Sequence, residues 1–95
     1  MKKTTLELGG NDPFCVLADA DIGKAVDCAY KSRMGANGQA CINAKRFIIE
    51  EAIYDEFRDR LIEHIRETTV VGDPLLPATN LGPLALHRQM IKLKD

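Results

Sequence analysis

Tryptophan is missing from these 95 residues, and aromatic side chains make up only 5% of them. That leaves no platform of rings on which nucleotide bases stack. An excess of either charge is missing too, since 13 Lys and Arg stand against 14 Asp and Glu, for a formal net charge of -1. No local run of basic residues makes up for this, so a phosphate backbone meets no attractive field. No apolar stretch comes near the ~18 residues of a membrane span. The opening Met1-Lys2-Lys3-Thr4-Thr5-Leu6-Glu7 lacks the apolar run of a secretory signal. Cysteine is sparse. Cys15, Cys28 and Cys41 are evenly spaced but odd in number and show no C-x-x-C pattern, which suggests neither a disulfide framework nor a zinc site. The expectation is a cytoplasmic protein with reduced thiols, no metal, and neither nucleic acid nor membrane as a partner.

What is there is ordinary globular composition, 45% hydrophobic and 28% charged. A chain of this length buries ~60–65% of its unfolded surface and forms a modest core. Residues 4–8 read as a short strand stopped by Gly9-Gly10. Asn11-Asp12-Pro13 is a turn, and the apolar run over residues 14–17 suits a strand buried on both faces. Asp19 or Asp21 caps a helix whose apolar positions are Ile22, Ala25, Val26 and Ala29, ending near Met34-Gly35. Residues 35–44 show neither period and read as a loop, followed by a strand at Phe47-Ile48-Ile49. Ile53, Phe57, Leu61 and Ile65 mark a second amphipathic helix, with Glu50, Glu51, Asp55 and Glu56 at its start, where they suit the helix dipole. Residues 71–83 hold three prolines and two glycines. Loops of that length inside a domain usually have a job or a partner surface. A short helix over roughly residues 85–93 closes the chain. The order strand, strand, helix, strand, helix implies an α/β fold with a parallel sheet, as part of a larger three-layer domain. Three strands with bare edges look cut from something bigger.

Cys41 is the first candidate for chemistry. It lies in the loop between a helix and a strand, beside Gly38 and Gln39, whose small neighbourhood lets a substrate approach the backbone. A nucleophilic cysteine needs thiolate character or a nearby base, and its own amide can face a developing oxyanion. Loop position alone is equally compatible with an inert, half-buried thiol, which is the commoner case. Cys15 in a strand and Cys28 in a helix fit an inert packing role better. Glu7 is the second candidate, a carboxylate between Leu6 and Leu8 beside two glycines. Burial brings a carboxylate toward general-base range, and glycines leave room for water. The plain alternative is a strand glutamate facing solvent. His64 and His87 fit surface or boundary positions. Gly9-Gly10 matches neither the Rossmann nor the P-loop fingerprint.

Leu6-Glu7-Leu8-Gly9-Gly10 followed some three dozen residues later by Gly38-Gln39-Ala40-Cys41 resembles the aldehyde dehydrogenase superfamily. The likeness continues through Asn11-Asp12-Pro13, Ala44-Lys45-Arg46-Phe47 and Gly72-Asp73-Pro74 to Gly82-Pro83-Leu84, covering nearly the whole chain. The wording around Cys41 is most similar to the succinate-semialdehyde dehydrogenases. The resemblance implies that Cys41 attacks an aldehyde carbon and that Glu7 activates the water that releases the acid. It implies NAD or NADP as cofactor, with Leu8 and Gly9 beside it. On the same grounds residues 1–95 are part of the family's catalytic domain, with the dinucleotide-binding and oligomerisation regions not represented, and the chain alone is expected to be inactive and to bind cofactor poorly. Met34 and Ala36 depart from the family, which commonly has an aromatic residue and an asparagine there. Two other functions compete: a non-catalytic module pairing, with itself or a subunit, through exposed strand edges, and a cofactor-free thiol-reactive or esterase-like protein.

Overall fold

In the computed structural model, which describes residues 1–94, two parallel strands form the sheet. They are β1 (Asp12–Val16) and β2 (Ala44–Ile49), paired with Phe14 opposite Phe47 and Val16 opposite Ile49. The register breaks between Asp12 and Pro13. Both strands are edge strands, so Pro13 can sit in β1 without disrupting an inner ladder. Between them runs α1 (Ile22–Met34), making a βαβ unit, and α2 (Tyr54–Thr68) follows β2. The last helix, α3, spans His87–Lys94.

Period-two alternation puts Phe14, Val16, Phe47 and Ile49 on one face of the sheet. Both long helices pack there, with Val16, Val26, Ala29 and Phe57 as the buried cluster and Ala25, Ile53 and Leu61 packed around it. Phe14 and Phe47 meet as a tilted ring pair at 5.6 Å. Phe57 is 2% exposed, and cutting it to alanine costs ~3–5 kcal/mol by the usual cavity effect. Asp21, not Asp19, is the α1 cap, its carboxylate accepting from the Lys24 amide at 3.1 Å. Lys31 and Arg33 in the last turn of α1 complement the helix dipole, as Asp55 and Glu56 do in the first turn of α2. His64 packs edge-on against Tyr30 at 5.0 Å, and Thr69 donates to the Tyr30 hydroxyl, so this histidine joins α1 to α2.

Three expectations change. Residues 4–8 form no strand. A strand needs a neighbour for its ladder, and here the segment is an exposed arm with Leu6 and Leu8 more than 70% exposed. Second, residues 14–17 are buried on one face only, because Cys15 and Leu17 lie bare along with Ile48 of β2. The described residues therefore make two layers. Third, Cys15 and Cys28 are exposed thiols and not packed ones.

The accessible surface is 7618 Å². A compact monomer of 10.5 kDa would show about 5400 Å². About half of the unfolded surface is buried, less than the length led one to expect. The radius of gyration of 16.0 Å likewise exceeds the ~12 Å of a compact domain this long. This is a folded layer with open sides.

Candidate active site

The segment between α1 and β2 is held in an unusual backbone shape. Ala36, Asn37 and Gly38 are consecutive left-handed residues, with φ of 52°, 57° and 71°. Glycine accepts that region freely and asparagine with little cost, while alanine is strained there. The turn throws Gln39, Ala40 and Cys41 out between the end of α1 and the start of β2. Cys41 is partly exposed.

Four polar side chains hold this loop. Asn43, only 4% exposed, donates through Nδ2 to the Ser32 carbonyl at 2.7 Å and the Gly35 carbonyl at 3.1 Å, tying the loop's end to the C-terminus of α1. Its Oδ1 is buried without a partner among the described residues. Asn37 pairs both ways with residues 82–83, accepting from the Gly82 amide and donating to the Pro83 carbonyl, each at 3.1 Å. Gln39 accepts from the Ala85 amide at 3.0 Å. Lys45 donates to the carbonyls of Ala40, Cys41 and Asn43 at 3.3, 3.0 and 3.1 Å.

The long loop over residues 71–83 thus has its job. Asn80 closes it on itself, accepting from the Val70 amide at 2.8 Å and donating to the Thr68 carbonyl at 2.6 Å. A parallel bridge joins Val71 to Leu81. Its far end then braces the Cys41 loop through Asn37 and Gln39. These partners are more than forty residues apart in the chain, and no local pattern announces them. Asn37 did carry a signal, an asparagine before glycine where the periodicity stops.

The N-terminal arm reaches the same place. A Cβ placed on Gly10 would lie 2.7 Å from the Cys41 carbonyl oxygen, so the arm passes this close only with glycine in place. Arg46 anchors the arm's end by donating through Nε and Nη2 to the Asn11 carbonyl, both at 3.1 Å. Glu7 itself is exposed. The burial foreseen around a general base is not supplied by the described residues, because the strand that was to hold Glu7 does not form. Among those residues no cluster of three or more His, Cys, Asp or Glu is disposed to hold a metal ion, and no helix is long and apolar enough to cross a membrane.

The fit of a dinucleotide can be judged from the arm. Gly9 has nothing within 4 Å of where a Cβ would stand, and Leu8 beside it is 73% exposed. The backbone here is open to solvent, and no neighbouring atom blocks a flat ring from lying against it. The sequence has no glycine-rich phosphate loop, so it offers no matching cradle for the phosphates of a dinucleotide.

Comparison with known proteins agrees with the two motifs. The model of the aldehyde dehydrogenase family matches residues 1–95. The chain belongs to the aldehyde dehydrogenase family. It is 52% identical over 85 residues to the succinate-semialdehyde dehydrogenase [NADP(+)] of Mycobacterium avium, covering 90% of this chain and 18% of that protein. A probable succinate-semialdehyde dehydrogenase [NADP(+)] of Synechocystis matches equally, at 52% over 85 residues with the same coverage of both chains. The crystal structure of succinate-semialdehyde dehydrogenase from Burkholderia pseudomallei superposes with a TM-score of 0.89 at 40% identity, over 95% of this chain and 18% of that one. The chain thus spans about a fifth of the length of these relatives. The α/β reading with parallel strands holds.

Proposed function

We propose that this chain supplies the nucleophile segment of an NAD(P)-dependent aldehyde dehydrogenase acting on a small semialdehyde of the succinate-semialdehyde type. The observation that carries this reading is the close approach of Gly10 to the Cys41 carbonyl, which gathers two motifs distant in sequence at one place. Cys41 attacks the aldehyde carbon as thiolate. A carbon–sulfur bond forms, and the carbonyl pair moves to oxygen, where the Cys41 amide stabilises it. The nicotinamide, when bound beside Leu8 and Gly9, supplies the hydride acceptor. Glu7 takes the proton of the water that attacks the resulting thioester, the carbon–sulfur bond breaks, and the acid leaves with Cys41 regenerated.

Alone, these 95 residues have no turnover in this reading. Positioning of cofactor against substrate supplies ~7–11 kcal/mol of barrier lowering, and among the described residues Leu8 and Gly9 stand open to solvent. Open sides on the sheet give some support to the second reading, pairing with another polypeptide through the strand edges and the bare face around Cys15, Leu17 and Ile48.

The test is a graft. Placed in the Mycobacterium avium relative instead of its matching 85 residues, this chain should sustain NADP-dependent oxidation of succinate semialdehyde, and Cys41→Ala should abolish it. The free chain should produce no reduced nicotinamide. A folded graft with no turnover, or one that survives Cys41→Ala, overturns the assignment.

A further inference from the structure

We infer that Lys45 is a positioning residue that aims the Cys41 amide at the oxyanion; this rests on the reading of Cys41 as nucleophile. Lys45 stands at the start of β2, where an exposed lysine would ordinarily extend into water. Its side chain turns back over the loop instead, and its ammonium makes three hydrogen bonds, to the carbonyls of Ala40, Cys41 and Asn43 at 3.3, 3.0 and 3.1 Å. An ammonium has three donors. All three are spent on one short stretch of backbone. Charge-assisted bonds of this kind are stronger than neutral ones.

The consequence follows from peptide geometry. The Ala40 carbonyl and the Cys41 N–H belong to one planar unit, and in a trans peptide they point in opposite directions. Among the described residues no peptide bond is cis. The Ala40 carbonyl is held by the Lys45 ammonium at 3.3 Å together with the Asn43 amide at 3.2 Å, which turns the Cys41 N–H to the far side of the loop. The next unit is fixed in the same way, since the Cys41 carbonyl accepts from the Lys45 ammonium at 3.0 Å and lies close to Gly10. With these two carbonyls gathered on one side, the Cys41 and Ile42 amides face the other, while the Asn43 amide turns back to the Ala40 carbonyl at 3.2 Å. That is the arrangement an oxyanion requires, set up before any substrate arrives.

Two reactions at Cys41 separate positioning from general integrity. Acyl transfer from p-nitrophenyl acetate passes through an oxyanion and calls on the Cys41 amide. Alkylation by iodoacetamide is a displacement at saturated carbon and does not. Both rates are measured on the full chain by mass spectrometry of the Cys41 peptide, in a Cys15→Ser, Cys28→Ser background because those thiols are exposed. Lys45→Met should lower acylation by about tenfold or more while alkylation changes little, and Lys45→Arg should restore most of the acylation. Circular dichroism checks folding, and Lys45→Gln, neutral but still a donor, replaces Met if that variant unfolds; it should fall between the two. An unchanged acylation-to-alkylation ratio in the folded variants overturns the Lys45 inference alone. Wild-type Cys41 with no greater ratio than the same chain in denaturant overturns the nucleophile reading itself, and the inference with it.

Discussion

Gly9 and Gly10 are neighbours with opposite expectations. A methyl group on Gly10 would sit 2.7 Å from the Cys41 carbonyl oxygen, where ordinary contact begins near 3.4 Å, so several tenths of an ångström must be opened. Two parts can yield. The Cys41 carbonyl is held by Lys45, and the loop around it by Asn43, Asn37 and Gln39. The arm before Gly10 is exposed over its whole length. Overpacking in a closed core costs ~1–3 kcal/mol. Here the weakly held arm moves first, so Gly10→Ala should cost below ~1 kcal/mol, in keeping with surface substitutions. At ~4–8 °C per kcal/mol for a domain of this size, the melting midpoint should fall by only a few degrees. Local effects should be larger. Amide resonances of residues 6–12 and of Ile42 should shift, and hydrogen exchange in the arm should quicken, while α2 stays as it was. Gly9→Ala meets nothing within 4 Å and has no left-handed φ, so it should leave both melting and resonances near Cys41 unchanged. Equal effects from the two substitutions, or resonances near Cys41 indifferent to Gly10→Ala, would refute the contact.

Ala36 holds φ 52°, ψ 39°, a conformation that costs a non-glycine residue ~1–2 kcal/mol. Ala36→Gly should therefore stabilise the chain by roughly 1 kcal/mol, and Ala36→Asn by somewhat less, as read from urea denaturation midpoints; a loss of stability would show that the strain is misplaced. The Lys31 ammonium titrates above its ordinary value because it donates to Asp27 at 2.7 Å, with the Asp27 charge adding to this. A raised pKa means that the pair's contribution is complete below the ordinary lysine range and is lost as pH rises through the folded value. Lys31 is largely exposed and Asp27 half-buried, so solvent screens the pair and the effect is small. Asp27→Asn should change the melting midpoint little at neutral pH, and any difference from the parent should shrink once pH passes the lysine range; a difference that grows there contradicts the assignment.

Spacing along the chain was enough to find α1 and α2. Ile22, Ala25, Val26 and Ala29, and likewise Ile53, Phe57 and Leu61, are local patterns whose apolar stripe must be buried somewhere, and both stripes reach the core. A cap at Asp19 or Asp21, the helix end near Gly35 and the parallel strands were legible from the sequence, and the structure chose Asp21. The two motifs around Glu7 and Cys41 identified the family, because a pair of short words at a fixed separation is specific even where the fold is not drawn. What the sequence could not decide was anything that depends on a neighbour far along the chain. Residues 4–8 alternate like a strand, yet strand formation depends on pairing, and this segment pairs with neither β1 nor β2. Cys15 and Leu17 read as core because apolarity does not say which face of a sheet is covered. The bracing of the Cys41 loop by Gly82, Pro83 and Ala85, and the three carbonyls gathered on Lys45, are hydrogen bonds between side chains and backbone groups that every residue carries. Such groups have no signature in one-letter code. Only the tertiary fold decides which of them meet.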